Sequence, residues 1–272
     1  MSAVFKVFDI ESQSNIDYAR SCATMLSTIA KQKPRVQCIT NTVAMDFTSD
    51  ILLSVGARPS LTMGTDEIQE FVASSDSLSI NIGTLDAIRK AAIRPAIETA
   101  LDYHRPWVLD PVSVHASDKR CEYARELLEL KPTVIRGNIA EIKALVGRDT
   151  PDAAWILAQQ TGAVVAQTGE ADIITDGKKA LMIANGDLMQ TRVSAMGCAA
   201  TAFVATFLAV NRRAFDATVQ ALLALSVAGE LAASRSTGPG SLHMNILDTL
   251  YSLDSEQLEA RCHILKCEET AA

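Results

Sequence analysis

Apolar and polar positions along this chain alternate between helical and strand-like periods. Ile16, Ala19, Met25 and Ile29 recur at helical spacing, so the pattern predicts a helix over 16–32 that Pro34 stops. A short apolar run over 35–39 reads as a strand, closed by Thr40 and Asn41. A second helix is expected over 42–55, with Val43, Phe47, Ile51, Leu52 and Val55 on one side and Gly56 just past its end. Further strands are expected at 58–61, 77–82, 107–110 and 133–136. Between them lie predicted helices over 66–73, from Thr84 towards His104, and over 118–130. Thr84 is the expected cap of the second of these, and Pro95 is expected to kink or break it.

A strand–helix rhythm of roughly 25 residues means βαβ crossovers, hence a parallel sheet with helices on both faces. After predicted helices over 139–146 and 152–161 the rhythm changes. Strands at 163–167, 172–175 and 180–184 are joined by tight turns, of which Asp176-Gly177 is the clearest, so this part should be an antiparallel edge. Helices follow over 198–210, 215–234 and about 242–253, the last two separated by Gly238-Pro-Gly-Ser241. The charged stretch 254–272 reads as a tail, mobile at its end.

Composition narrows the class. The 272 residues are 48% hydrophobic, and no linker-like stretch divides them, so one large α/β domain over 1–272 is expected. A net charge of −7 without basic clusters argues against a nucleic-acid or anionic-membrane partner. The longest apolar stretch, 199–210, is too short to span a bilayer, and residues 1–15 lack the apolar core of a signal peptide. The six cysteines show neither CxxC nor zinc-ligand spacing and read as reduced thiols, so a cytoplasmic location is expected.

Candidate chemistry gathers around Thr191-Arg-Val-Ser-Ala-Met-Gly-Cys-Ala-Ala-Thr-Ala202, read as a strand end, a turn of small residues and the start of an apolar helix. Backbone N–H groups at such a turn suit an anion, and phosphate is the expected guest. Cys198 falls on the first turn, where the helix dipole favours thiolate, although a lone Cys between Gly and Ala is also an ordinary packing residue. Ligand groups in a parallel sheet collect at the carboxyl ends of strands, and Asn41, Asn81, Asp110 and Arg136-Gly-Asn138 all fall there. Asp110 and Glu141 form a carboxylate pair suited to Mg²⁺, with turn-forming and dipole-pairing roles as their alternatives. Arg136 offers a fork of donors to a polyphosphate, or else a surface salt bridge. Thr168-Gly-Glu170 suits a nucleotide phosphate or a plain turn. The four histidines form no triad or zinc motif, and His115 reads as an exposed loop residue.

Taken in order, Cys38-Ile-Thr-Asn41, Val55-Gly-Ala-Arg-Pro59, Asn81-Ile-Gly-Thr84, Leu109-Asp-Pro-Val112, Val134-Ile-Arg-Gly-Asn138, Thr168-Gly-Glu170, Gly197-Cys198 and Gly238-Pro-Gly-Ser241 resemble the hydroxyethylthiazole kinase family. The resemblance implies a ribokinase-like fold, a three-layer α/β/α arrangement with a mostly parallel sheet and an antiparallel edge. It also implies ATP-dependent phosphorylation of 4-methyl-5-(2-hydroxyethyl)thiazole with Mg²⁺, on the way to thiamine diphosphate, in a homotrimer with sites between subunits. Carried over by position, Arg136, Thr168 and Gly197 contact the nucleotide, and Asp110 and Glu141 serve the metal and phosphates. Leu61, Ala195 and Asn41 line the substrate side, and Cys198 is the proton acceptor. Another small alcohol, or weakly catalytic ligand binding, stays open as an alternative.

Three departures from the family pattern stand out. Ala195-Met196 precedes Gly197 where the family has Gly followed by Ala or Thr; Leu61 replaces a common Met; and 147–151 is short. If position 195 needs positive φ, alanine is costly there.

Overall fold

The computed structural model describes residues 5–269. In chain order the elements begin with β1 (Phe5–Asp9), α1 (Ser12–Gln32), β2 (Arg35–Ile39), α2 (Met45–Ser54), β3 (Arg58–Ser60) and α3 (Ile68–Ala73). There follow β4 (Ser77–Asn81), α4 (Ala87–Asp102), β5 (Trp107–Asp110), α5 (Asp118–Leu128), β6 (Val134–Asn138), α6 (Ile139–Val146) and α7 (Ala153–Thr161). The chain then forms β7 (Val164–Thr168), β8 (Asp172–Thr175), β9 (Ala180–Ile183), α8 (Met196–Val210), α9 (Ala214–Ala233), α10 (Pro239–Ser252), α11 (Ser255–Arg261) and β10 (Ile264–Glu269).

Among the described residues, ten strands make one sheet in the order β1-β10-β9-β8-β7-β6-β5-β4-β2-β3. Pairing is parallel from β3 to β7 and antiparallel from β7 to β1. The switch follows the change of rhythm: helical crossovers deliver parallel strands, whereas the tight turns around Asp176-Gly177 reverse the chain.

Each face of the sheet is covered by its own core. Val36, Cys38, Val108, Val134, Val164 and Ala166 pack against α1, α2, α8, α9 and α10. Ile39, Leu78, Ile80, Leu109, Ile135 and Val165 pack against α3 to α7. Successive strand residues point to opposite faces, so this division fixes where the strand-end polar residues go. Asn81, Asp110, Arg136 and Thr168 continue the register that faces α8. That helix is apolar all round because it is enclosed all round, with Ala199 through Leu208 buried. The longer apolar helix is α9, which by length and composition alone would cross a bilayer, yet 83% of its apolar window is buried inside the protein.

Several sequence expectations change. No strand precedes α8: residues Leu188–Arg192 form a 3-10 turn capped by Asp187, whose side chain accepts from Met189 N at 2.8 Å. The helix itself starts at Met196 rather than Cys198, with Ala195 at its N-cap. Asp86, not Thr84, caps α4, accepting from Arg89 N at 2.8 Å, while Thr84 sits at φ 44°. The helix then runs through Pro95 without a break. Residues 42–55 divide into a 3-10 turn and α2, and α1 begins four residues earlier than its apolar face. Residues 254–269 are not a tail but α11 and β10, with 270–272 outside the described residues. β10 carries three charged side chains in six residues, so its pattern hides a strand that exists because β9 and β1 bracket it. Asn15 Oδ1 anchors it by accepting from Ile264 N at 2.9 Å.

Candidate active site

Four adjacent strands end close together, β4 and β5 level with Arg136 and β6 and β7 two residues further on. Asn81 pairs with Asp110 across β4 and β5, and Asn138 pairs with Thr168 across β6 and β7, so their side chains project past the sheet together. A cleft of about 870 Å³ opens there between the sheet and the start of α8. Asp110, Arg136, Glu141, Thr168, Ala195, Gly197 and Cys198 all line it. Asn41 joins this group by donating from Nδ2 to Cys198 Sγ at 3.3 Å. Leu61 does not line the cleft. It packs against the core at the end of β3, the far edge of the sheet.

Each polar residue is held by its neighbours. Asp110 is buried, and its Oδ2 accepts from Asn81 Nδ2 at 2.7 Å and from Thr201 Oγ1 at 2.9 Å. Burial is the main cause that pushes its carboxyl up to about 7; Arg136 opposes the shift and Glu141 adds to it. Glu141 completes a capping box at the start of α6, where Oε2 accepts from Asn138 N at 2.8 Å. Its Oε1 accepts from Ser113 N, also at 2.8 Å. Thr168 Oγ1 donates to Gly137 O at 3.4 Å.

Arg136 stands apart from these satisfied groups. Among the described residues its Nε is buried without a hydrogen-bond partner. Its Nη1 lies where a Cβ on Gly197 would come within 2.7 Å, so the glycine is what lets the guanidinium reach the first turn of α8. Asp172, half-buried and pushed up to about 6 chiefly by burial, also feels Arg136, which lowers it. The guanidinium therefore sits among carboxylates and helix N–H groups, a setting that accepts a further anion.

The thiol differs from its sequence expectation. Cys198 is half-buried, and burial, followed by the charge of Asp110, pushes it up to about 11 despite the amides of Asn41 and Asn81 and the charge of Arg136. Without a ligand the thiol form dominates, because desolvation outweighs the helix terminus. Ala195 does occupy the left-handed region, at φ 66°, ψ 3°. The short 147–151 segment is a compact link between α6 and α7, with Gly147 at φ 74° and a Lys143–Asp149 ion pair of 2.5 Å.

Residues missed from the sequence are Thr201 and the rim of the cleft, Asn185 to Thr191. Thr201 lies one helical turn beyond Cys198 on the same face, a spacing that was available as a signal. The rim lies mostly in 185–190, between the strand expected at 180–184 and the stretch beginning at Thr191, where no element is expected. Leu188 on this rim is 82% exposed and, with Leu222 and Leu225, makes one end of the cleft apolar while the Arg136 end is polar.

A family model described as the hydroxyethylthiazole kinase family matches residues 26–256. The chain belongs to this family. It is 44% identical to hydroxyethylthiazole kinase of Granulibacter bethesdensis, over 85% of this chain and 89% of that one. The enzyme of the same name from Arabidopsis thaliana is 38% identical, over 89% and 93% of the two chains. The structure of a hydroxyethylthiazole kinase protein from Pyrococcus horikoshii superposes with a TM-score of 0.88 at 31% identity, covering 92% of this chain and all of that one. A ribokinase-like superfamily protein from Enterococcus faecalis shares the fold alone, with a TM-score of 0.64 at 13% identity. The fold is thus ribokinase-like, a mixed α/β sheet, mostly parallel with antiparallel edge strands. As a member of a kinase family the chain uses ATP.

Proposed function

We propose that this protein transfers the γ-phosphoryl group of ATP to the primary alcohol of 4-methyl-5-(2-hydroxyethyl)thiazole, a step towards thiamine diphosphate. The observation that carries the reading is the meeting, in one cleft, of Arg136, whose buried Nε has no partner among the described residues, the first turn of α8 and the Cys198 thiol. Arg136, Thr168 and the backbone around Gly197 bind the phosphates, and the apolar end at Leu188, Leu222 and Leu225 takes the nucleoside. The alcohol oxygen attacks the γ-phosphorus, the bond to the ADP oxygen breaks, and Cys198 Sγ accepts the alcohol proton as its thiolate. Phosphoryl transfer is loose in character, so positioning and charge contribute more than this proton transfer.

Mg²⁺ fits the donor set, since Asp110 is raised partly by Glu141 and a cation relieves both charges. Asp110 and Glu141 are the residues that would hold it, the Glu141 carboxylate being already oriented by the amides of Ser113 and Asn138. When bound it supplies charge neutralisation on the phosphate oxygens. Among the described residues no group of three or more His, Cys, Asp or Glu side chains could hold a metal by itself, and phosphate oxygens of the nucleotide would supplement the two carboxylates.

Ala195 and Asn41 belong to the thiazole side, and Leu61 is assigned to a part of that pocket completed by a second subunit. A homotrimer is supported by exposed Val43 and Met244, on neighbouring elements joined through the stacked rings of Phe47 and His243. Six free cysteines support a cytoplasmic location. The test is incubation of the full chain with Mg·ATP and the thiazole alcohol. Formation of the phosphate ester is expected; saturable binding of both ligands without ester overturns the reading.

A further inference from the structure

Behind Cys198 lies a residue outside the cleft lining whose amide, with that of Asn41, bears on the thiol. Asn81 is buried at the end of β4, and its side-chain amide meets three groups. Oδ1 accepts from Gly83 N at 3.0 Å and from Asn41 Nδ2 at 3.2 Å, while Nδ2 donates to Asp110 Oδ2 at 2.7 Å. A backbone N–H can only donate, so Gly83 N–H fixes Asn81 Oδ1 as the acceptor end and leaves Nδ2 to face Asp110. Asn41 is then obliged to present its NH₂. That group has a second N–H, which it gives to Cys198 Sγ at 3.3 Å.

Gly83 is itself held from the other side, where the buried Arg89 donates from Nη2 to its carbonyl. A Cβ on Gly83 would fall 3.0 Å from Val112 Cγ1 and 3.1 Å from Asn81 Oδ1, so a side chain at this position would crowd the amide. A donor aimed at sulfur favours its thiolate and fixes the direction in which its remaining lone pairs point.

We propose that Asn81 is a positioning residue for Cys198, acting through Asn41 and keyed to Asp110. This rests on the kinase reading for its role in turnover, but not for its effect on the thiol. The alternative is that Asn81 merely satisfies a buried turn.

The test is a double-mutant cycle on the full-length protein with Asn81→Leu, Asn41→Leu and the double variant, each checked for a cooperative melt. Cys198 alkylation by iodoacetamide at pH 8 is followed by peptide mass spectrometry, with Cys262, the other half-buried thiol, as reference. Loss of one donor to a thiolate slows alkylation by about tenfold. Each single variant is expected to show at least that loss, and the double variant no more than Asn81→Leu alone, because removing Asn81 already removes what orients Asn41 towards sulfur. In turnover, Asn81→Leu should lower kcat with KM for ATP within about twofold. A double variant whose loss is the product of the two singles, or unchanged alkylation in Asn81→Leu, overturns the proposal. If Asn81→Leu does not fold, Asn81→Ser takes its place in the same cycle. Absence of ester formation by the wild type would overturn the kinase reading while leaving the alkylation result to decide this one.

Discussion

Replacing Asp110 by Asn should make the unliganded protein more stable at neutral and alkaline pH while abolishing turnover. Asp110 is 1% exposed, and a rise of its carboxyl from the ordinary 3.8 to about 7 corresponds to about 4 kcal/mol, at about 1.4 kcal/mol per pH unit. The sign follows from proton counting. Between the two values the folded state binds more protons than the unfolded one, so stability is greatest below 3.8 and falls as pH rises towards 7. Asn imitates the neutral acid: one oxygen can still accept from Asn81 and Thr201, which are the bonds Asp110 Oδ2 makes. The advantage of Asp110→Asn should therefore grow by about 2–3 kcal/mol from pH 5 to pH 8, with some of the ideal value lost to relaxation around Arg136. Asp172, also raised, titrates in both proteins and cancels from the difference. Urea denaturation at pH 5, 6, 7 and 8, without nucleotide or divalent cation, measures this directly. A difference that stays constant across that range, or a variant that loses stability at pH 8, would refute the account of Asp110 as a buried charge retained for function.

Three further outcomes are expected. With the Cys198 thiol at about 11, kcat should rise with pH through the alkaline range, and Cys198→Ala should remove that rise and lower kcat more than it alters KM for ATP; a flat wild-type profile would count against proton acceptance. Gly197→Ala should change thermal stability by less than about 1 kcal/mol, since the added Cβ meets the flexible end of Arg136, yet raise KM for ATP by about tenfold as the guanidinium is displaced. Ala195→Gly should stabilise by about 0.5–1 kcal/mol, because relief at φ 66° exceeds the added freedom of the unfolded chain; a lower melting temperature would contradict this.

Apart from the strand expected just before α8, the sequence by itself determined the order of strands and helices from β2 to α9, because local apolar period and turn residues act over a few positions. It also exposed Asn41, Asn81, Asp110, Arg136 and Thr168 as polar residues where predicted strands give out, which is where ligand groups of a parallel sheet collect. Tertiary structure alone decided the rest. β10 becomes a strand only between β9 and β1, whose residues lie far from it in the chain. The thiol of Cys198 is governed by burial and by Asp110, neither of which is visible in its neighbours Gly197 and Ala199. The run of amides from Gly83 through Asn81 and Asn41 to sulfur joins two separate strand ends and a helix, and only parallel register brings them within hydrogen-bonding distance.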